Sequence, residues 1–406
     1  PAGGGLLQEP MFAGAAARAE QARTYSPGSL RPETARALYG AELHFSSSRI
    51  DVLAGCRFAH FLQYGLRAQE REPAEFDSRF YGTFVHDVLE HVVQQTEREG
   101  GFAAVPCSRV QELAQERMEQ NAQTLLETFP DSGRTGYLLR RTFDEVTQVV
   151  DELYDELSVS AFRPKFCELE FSARGALPGV AFAGERCRGV VEGFVDRVDV
   201  WQSGGRPYVR VVDYKTGKKS FDYTNVLHGR GLQMLLYLFA LVRQGGHLLH
   251  GEPLPAGVLY FPARIERVSV RDRLAQAEIE KERRKQLRRS GVLLNSDPVL
   301  EAMEPCGGSP RFLPYTLDKE GRKTGDLASF VQLAQLERFV FRTVAVLGDE
   351  LADGCIDPDP CIRDAKDSAC AFCPYSEVCA GHEQPRWLKK ITAEEFWQTL
   401  ERREHG

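Results

Sequence analysis

The sequence predicts an α/β fold in which helices precede a block of strands, and a further helix and strand follow it. Three observations carry this. Apolar residues recur at helical spacing from about Arg79 to Val93. From about Lys165 to Tyr214 the pattern turns β-rich. Leu232 to Gln244 then returns to helical spacing before a short apolar strand, Ala256 to Phe261. The resulting order is α-β-β-β-α-β.

Residues 1–40 are rich in Gly, Ala and Pro and read as a linker or the end of a preceding region. The first residue is Pro rather than Met, which reads as a trimmed fragment. Ser46-Ser47-Ser48 supplies an N-cap for a helix expected through Leu66. Its buried stripe would be Ile50, Leu53, Phe58, Phe61 and Leu62, with Cys56 inside the helix. A second helix begins near Arg79, with Phe84, Val85, Val88, Leu89, Val92 and Val93 as its stripe and His86 one step off it. Residues 107–158 read as further helices, broken around Pro130-Asp131-Ser132-Gly133. Phe166 to Phe171, Arg188 to Val200 and Tyr208 to Tyr214 are the strands. Trp201 to Gly205 is the turn of a hairpin between the last two. Residues 270–305 read as mostly helical, and Leu327 to Leu351 as a long amphipathic helix. One unit is expected over 41–385, with a helical tail over 386–406.

The bulk numbers exclude several classes. A chain of 406 residues, 42% hydrophobic and 27% charged, is neither disordered nor fibrous. Its best apolar run, Met234 to Val242, is too short to span a bilayer. A net charge of −7 argues against indiscriminate coating of nucleic acid, though local basic patches can still bind it. One such patch is Lys281-Glu282-Arg283-Arg284-Lys285, followed by Arg288-Arg289; Glu278, Glu280 and Glu282 also suit a solvated helix face. With no export signal, the ten cysteines suggest a reducing cytoplasm, where grouped thiols favour metal ligation. Cys107, Cys167, Cys187 and Cys306 are scattered and read as free thiols.

Two constellations carry chemistry. On a strand, residues two apart share a face, so Asp213 and Lys215 point together and Tyr214 points away. A hairpin at Trp201 to Gly205 lets Asp196 approach Asp213. Two carboxylates suit a hard cation such as Mg2+, which acidifies a water and screens charge on a phosphate; a neighbouring lysine stabilises the transition state. His86, Gln233 and Tyr237 are accessory candidates, and Glu168 could add an acid. The second constellation is Cys370-x2-Cys373-x5-Cys379. It lacks the second Cys-x2-Cys pair of a zinc ribbon, and a remote fourth ligand suits an iron–sulfur cluster better, with zinc the alternative. Cys56, Cys355 and Cys361 are the candidates for that fourth ligand.

Gly82-Thr83-Phe84-Val85-His86, Gly193 to Asp199, Val211-Val212-Asp213-Tyr214-Lys215-Thr216-Gly217 and Gln233-Met234-Leu235-Leu236-Tyr237 occur in one order along the chain. That set resembles the RecB-like branch of the PD-(D/E)XK nucleases. The resemblance implies a restriction-endonuclease-like core, a mixed sheet flanked by helices, with helical insertions. It makes His86, Asp196 and Asp213 ligands of Mg2+ and Lys215 the catalytic lysine, with Gln233 and Tyr237 beside them. Ser46-x-Ser48-Arg49, Cys56-Arg57-Phe58-x2-Phe61-Leu62-x-Tyr64-Gly65-Leu66 and Cys370-Ala371-Phe372-Cys373-Pro374-Tyr375-x3-Cys379 are similar to the two ends of the nuclease domain of the AddB family. That similarity implies a [4Fe–4S] cluster on Cys56, Cys370, Cys373 and Cys379, clasping the N- and C-terminal parts. It also implies DNA as substrate, a bacterial cytoplasm, and an AddA-type helicase–nuclease as partner. The strand cut would be the one ending 5′. No Gly-x4-Gly-Lys-Ser/Thr loop is present, so ATP hydrolysis is not expected of this chain. Two rival readings are a stand-alone iron–sulfur exonuclease of the CRISPR-adaptation type and a non-catalytic DNA-binding scaffold. The long helical stretches argue against the first, and the intact acid–lysine set against the second.

Overall fold

The structure, a computed structural model, describes residues 14–15, 17–18, 28–68, 78–128, 133–217, 220–265, 276–379 and 385–405. Its sheet is organised by one long strand, β4 (Arg188–Ser203), which serves two sets of neighbours. The first half of β4 pairs in parallel with β1 (Leu43–Ser46) and antiparallel with β3 (Val180–Ala183). The second half pairs antiparallel with β2 (Arg163–Phe171) and β5 (Arg206–Lys215). Gly204 and Gly205 close the β4–β5 hairpin at φ +58° and +75°, a two-residue turn that requires left-handed residues. The sheet continues through β6 (Leu254–Pro262), parallel to β5, then β7 (Ser290–Leu294) and β8 (Leu327–Ala328). The sheet is therefore mixed, as the sequence implies.

Strand β5 is buried almost without alternation, which fits a central strand covered on both faces. The crossover from β5 to β6 carries a helix, Gln233–Gln244, whose Met234 to Leu241 are all buried. On the other flank the helix Ser78–Arg98 packs on β2 and β4, backed by the helices Cys107–Thr128 and Gly133–Val159. Phe84, Val85, Val88, Leu89, Val92 and Val93 form its buried stripe, as their spacing predicts. Pro130, Asp131 and Ser132, where a helix break is expected, lie outside the described residues.

Several elements differ from the sequence reading. The helix expected from Ser46 to Leu66 does start on the Ser46 hydroxyl, which accepts Arg49 N–H at 3.2 Å. It stops at Gly55, however, and Cys56 is extended at φ −165° and ψ 122°. The cause is tertiary: Arg57 N–H donates to Asp359 Oδ1 at 3.0 Å and Phe58 N–H to Asp357 O at 3.1 Å. A short helix, Arg57–His60, and a π-turn, Phe61–Gly65, follow, leaving Phe58 and Phe61 half-buried rather than in the core. Residues 290–294, expected within a helical stretch, form β7 because Gly257, Val258, Leu259 and Tyr260 offer a partner edge. The last long helix begins at Phe330, after β8, with a Ser329–Gln332 capping box. Residues 32–39, read as linker, form a helix that buries Ala35 and Tyr39. The helix Ala393–His405 buries Phe396, Trp397 and Leu400 in the same core.

Beneath the β4–β5 pair lies a charge network with no access to water. Arg197 donates to both oxygens of Asp199 at 2.8 and 3.0 Å and to the Tyr214 hydroxyl at 2.9 Å. Arg210 bridges Asp199 and Glu156 at 2.7 and 2.9 Å, and Arg289 donates to Glu156 at 2.8 Å. Burial alone would push the Glu156 carboxyl up, but Arg289, Arg210 and Arg197 hold it down at about 2. Glu156→Gln would leave two guanidiniums buried without their shared countercharge. It should cost about 3–5 kcal/mol of unfolding free energy by denaturant titration; a cost under about 1 kcal/mol would show that the network is not a structural tie.

Candidate active site and cysteine clasp

The β4–β5 register creates the site. Arg197 pairs with Val212, so Asp196 lies opposite Asp213 one step further on. Regular pairing ends there, and the Asp196 side chain takes over, its Oδ2 accepting Tyr214 N–H at 2.7 Å. His86 Nε2 donates to Tyr214 O at 2.8 Å, and its Nδ1 stands 3.6 Å from Asp196 Oδ2. Glu168 on β2 has φ +47°, a left-handed conformation that is strained for a strand residue, and it drops out of the β2–β4 pairing register. One ligand atom from each of His86, Glu168 and Asp196 lies within 4.8 Å of the others. Lys215 Nζ is 2.5 Å from Asp213 Oδ2 and 5.8 Å from the Tyr260 ring centre.

This is a hard donor set: one imidazole and several carboxylates. Its electrostatics fit a divalent cation. Burial, and then the Asp213 charge, push the Asp196 carboxyl up to about 7. Burial, Glu90 and Asp213 also push Glu168 up, with His86 opposing. Crowded acids that resist ionisation in the bare chain are relieved by a bound cation. His86, Glu168 and Asp196 could hold one directly. Asp213, expected as a ligand, lies outside that trio and engages Lys215 in this arrangement.

Gln233 and Tyr237 sit differently. Gln233 is half-buried at the start of its helix. Tyr237 is buried, stacks on Phe171 with ring centres 4.9 Å apart, and donates to Glu192 O at 3.3 Å. Gly193 next to it has φ +153°, and a Cβ there would meet the Tyr237 hydroxyl at 2.1 Å. The tyrosine thus packs closely on β4 at Gly193, three residues ahead of Asp196.

A cavity of about 330 Å3 opens beside Lys215, lined by Thr216, Gly217, Ser220, Tyr260, Pro262, Arg264, Gln286, Arg288 and Ser290. The sequence reading missed this wall because its residues come from three separate segments with no shared spacing. Arg283, Arg284 and Lys285 belong to the helix Gln276–Gln286 that leads into it. Arg284 and Lys285 are exposed and Arg283 is half-buried. Arg288 and Arg289, read as part of that surface patch, turn inward: Arg288 donates to the carbonyls of Leu313 and Tyr315, and Arg289 to Glu156.

The cysteines meet at a second place. Cys56, Cys370, Cys373 and Cys379 line one cavity of about 160 Å3 with Phe58, Pro358, Pro360 and Tyr375. Neither Cys355 nor Cys361 lines it; Cys361 is buried and donates to Ala54 O at 3.3 Å. Burial pushes the Cys56 thiol up to about 11, against N–H donors from Ala59, Phe58 and Asp359 that favour a thiolate. Among the described residues no three sulfurs come within 4.8 Å.

A model of the PD-(D/E)XK nuclease superfamily matches residues 44–380. The chain belongs to this superfamily. It is also 34% identical over 357 residues to the B subunit of the ATP-dependent helicase/deoxyribonuclease of Moorella thermoacetica, covering 86% of this chain and 31% of that protein. The corresponding protein of Thermoanaerobacter sp. (strain X514) is 30% identical over 382 residues, 90% of this chain and 33% of its own length. The chain thus spans about a third of the curated relatives it matches. Among the described residues no helix is long and apolar enough to cross a membrane.

A carboxyl raised by folding keeps its proton where the unfolded chain has lost it. Ionising Asp196 therefore destabilises the metal-free fold as pH rises from about 4 to about 7. Asp196→Asn should leave the metal-free melting temperature unchanged near about pH 4 and raise it near about pH 8. The same shift at both pH values would contradict a charge confined by burial.

Proposed function

We propose that the chain is the Mg2+-dependent DNA nuclease unit of an AddAB-type helicase–nuclease, acting on the ends of double-strand breaks. The observation that carries this reading is the placement of Asp196 opposite Asp213, with Lys215 beside them and His86 and Glu168 at the same strand end. His86, Glu168 and Asp196 would hold the cation, and Asp213 is the further ligand the family resemblance implies. When bound, it lowers the pKa of a water and screens the charge of the phosphate. Lys215 holds the attacking water or the charge gathering on the phosphate oxygens. Tyr237 acts by seating β4, and Gln233 lies at the entrance of the same helix.

Cys56, Cys370, Cys373 and Cys379 would hold a [4Fe–4S] cluster, a role supported by the cavity they share. The motor is an AddA-type partner, since this chain has no phosphate-binding loop of the Walker type. The setting is the bacterial cytoplasm, and the strand cut is the 5′-ended one by likeness to AddB.

Asp213→Ala and Lys215→Ala should each reduce Mg2+-dependent cleavage of single-stranded DNA by at least about a hundredfold. The lysine variant should still bind Mn2+ by titration. Cleavage at the normal rate by both variants would overturn the site. ATP should have no effect on cutting by the chain alone.

Anaerobically prepared chain should contain about four irons, and Cys56→Ser should lose them. The fold should survive that loss in part. Arg57 remains paired with Asp359 at 2.7 Å and Glu350 at 2.5 Å, and Arg386 still donates to Ala54 O at 2.6 Å. Stoichiometric zinc without iron on metal analysis would rule out the cluster.

A further inference from the structure

The cavity beside Lys215 is walled by cations and hydroxyls, with no carboxylate among the described residues that line it. Lys215, Arg264 and Arg288 face it, together with Ser220, Ser290 and Thr216. Each arginine is held in place by something other than an acid. Arg288 donates through Nε to Leu313 O at 3.0 Å and through Nη2 to Tyr315 O, so its fork is fixed while its charge is not neutralised. Arg264 is exposed and rests 5.0 Å from the Tyr81 ring centre, and it has no ion-pair partner among the described residues. Uncompensated guanidiniums fixed around a cleft are matched to a phosphate, which accepts such forks in a defined geometry. Gln286 lines the cavity with a buried Oε1 that lacks a hydrogen-bond partner, and it ends the helix whose exposed face carries Arg284 and Lys285. The cations therefore continue from the cleft onto the surface in one direction.

We infer that this cleft is a phosphate seat for the DNA strand as it passes Lys215, with Arg264 and Arg288 as positioning residues that hold the backbone next to the bond being cut. The inference rests on the nuclease reading above, and it assigns the strand a path. From the acid cluster where the β4–β5 ladder ends, the backbone crosses Lys215, lies in the cleft, and runs out along Gln276–Gln286. The seat reads backbone, not base, so it accepts any sequence.

The test measures binding and cutting separately. In an Asp213→Ala chain, which does not cut, the affinity for a short single strand is followed against KCl. Arg264→Ala and Arg288→Ala should each flatten the log–log salt slope by about 0.7, the value for one phosphate contact on a single strand. Arg338→Ala, an exposed arginine paired with Glu404, should leave it unchanged. In the cutting-competent chain, Arg264→Ala should raise KM about tenfold with kcat little changed, as expected for loss of one charged hydrogen bond to a bound substrate. An abasic strand should show the same losses. Unchanged slope and KM in Arg264→Ala would overturn the seat, as would losses confined to base-bearing strands. Because Arg264 is exposed, its replacement does not threaten the fold. The salt slope also reads the seat when no cleavage is measured: a chain that never cuts DNA would defeat the nuclease reading, and an unchanged slope would defeat the seat alone.

Discussion

Everything at the acid cluster depends on one hydrogen bond that replaces a strand ladder. Where β4 and β5 stop pairing regularly, the Asp196 carboxylate takes the Tyr214 N–H at 2.7 Å. An unmade backbone donor there would cost about 1–3 kcal/mol. The bond therefore fixes Asp196 close to the strand that carries Asp213 and Lys215. It also leaves Tyr214 O for His86.

The charge network beneath makes that arrangement rigid. Arg197 follows Asp196 directly and points to the other face, where Asp199 and the Tyr214 hydroxyl receive it. Arg210, Glu156 and Arg289 extend the ties to a neighbouring helix and to the segment leading into β7. Burying so many ions gives little net stability, and packed apolar residues would serve as well for that. What it supplies is register: a slip of one residue would leave several charges unpaired in the core.

Much of this was legible in the sequence, and the failures share a cause. Strands β2, β4, β5 and β6, the hairpin glycines and the helix from Gln233 follow from local spacing, because burial periodicity is written into adjacent residues. The two candidate sites also carry short-range patterns, Asp213-x-Lys215 and Cys370-x2-Cys373, whose residues the fold keeps together. What spacing cannot show is a partner supplied from far away. Cys56 falls at a helix break because residues 357–359 take the N–H groups of Arg57 and Phe58. Residues 290–294 become a strand because β6 presents an edge. Arg288 and Arg289 look like surface charge in the sequence, and only the fold brings Leu313, Tyr315 and Glu156 to them. The wall of the cleft beside Lys215 was invisible for the same reason.

The central claim is that the end of the β4–β5 pair is a metal centre. Crystals of the chain soaked in Mn2+ and measured at the manganese edge test it most directly. The account predicts an anomalous peak bounded by His86, Glu168, Asp196 and Asp213, absent in Asp196→Asn. A chain that takes up Mn2+ only elsewhere, with no peak among these four side chains, would contradict it.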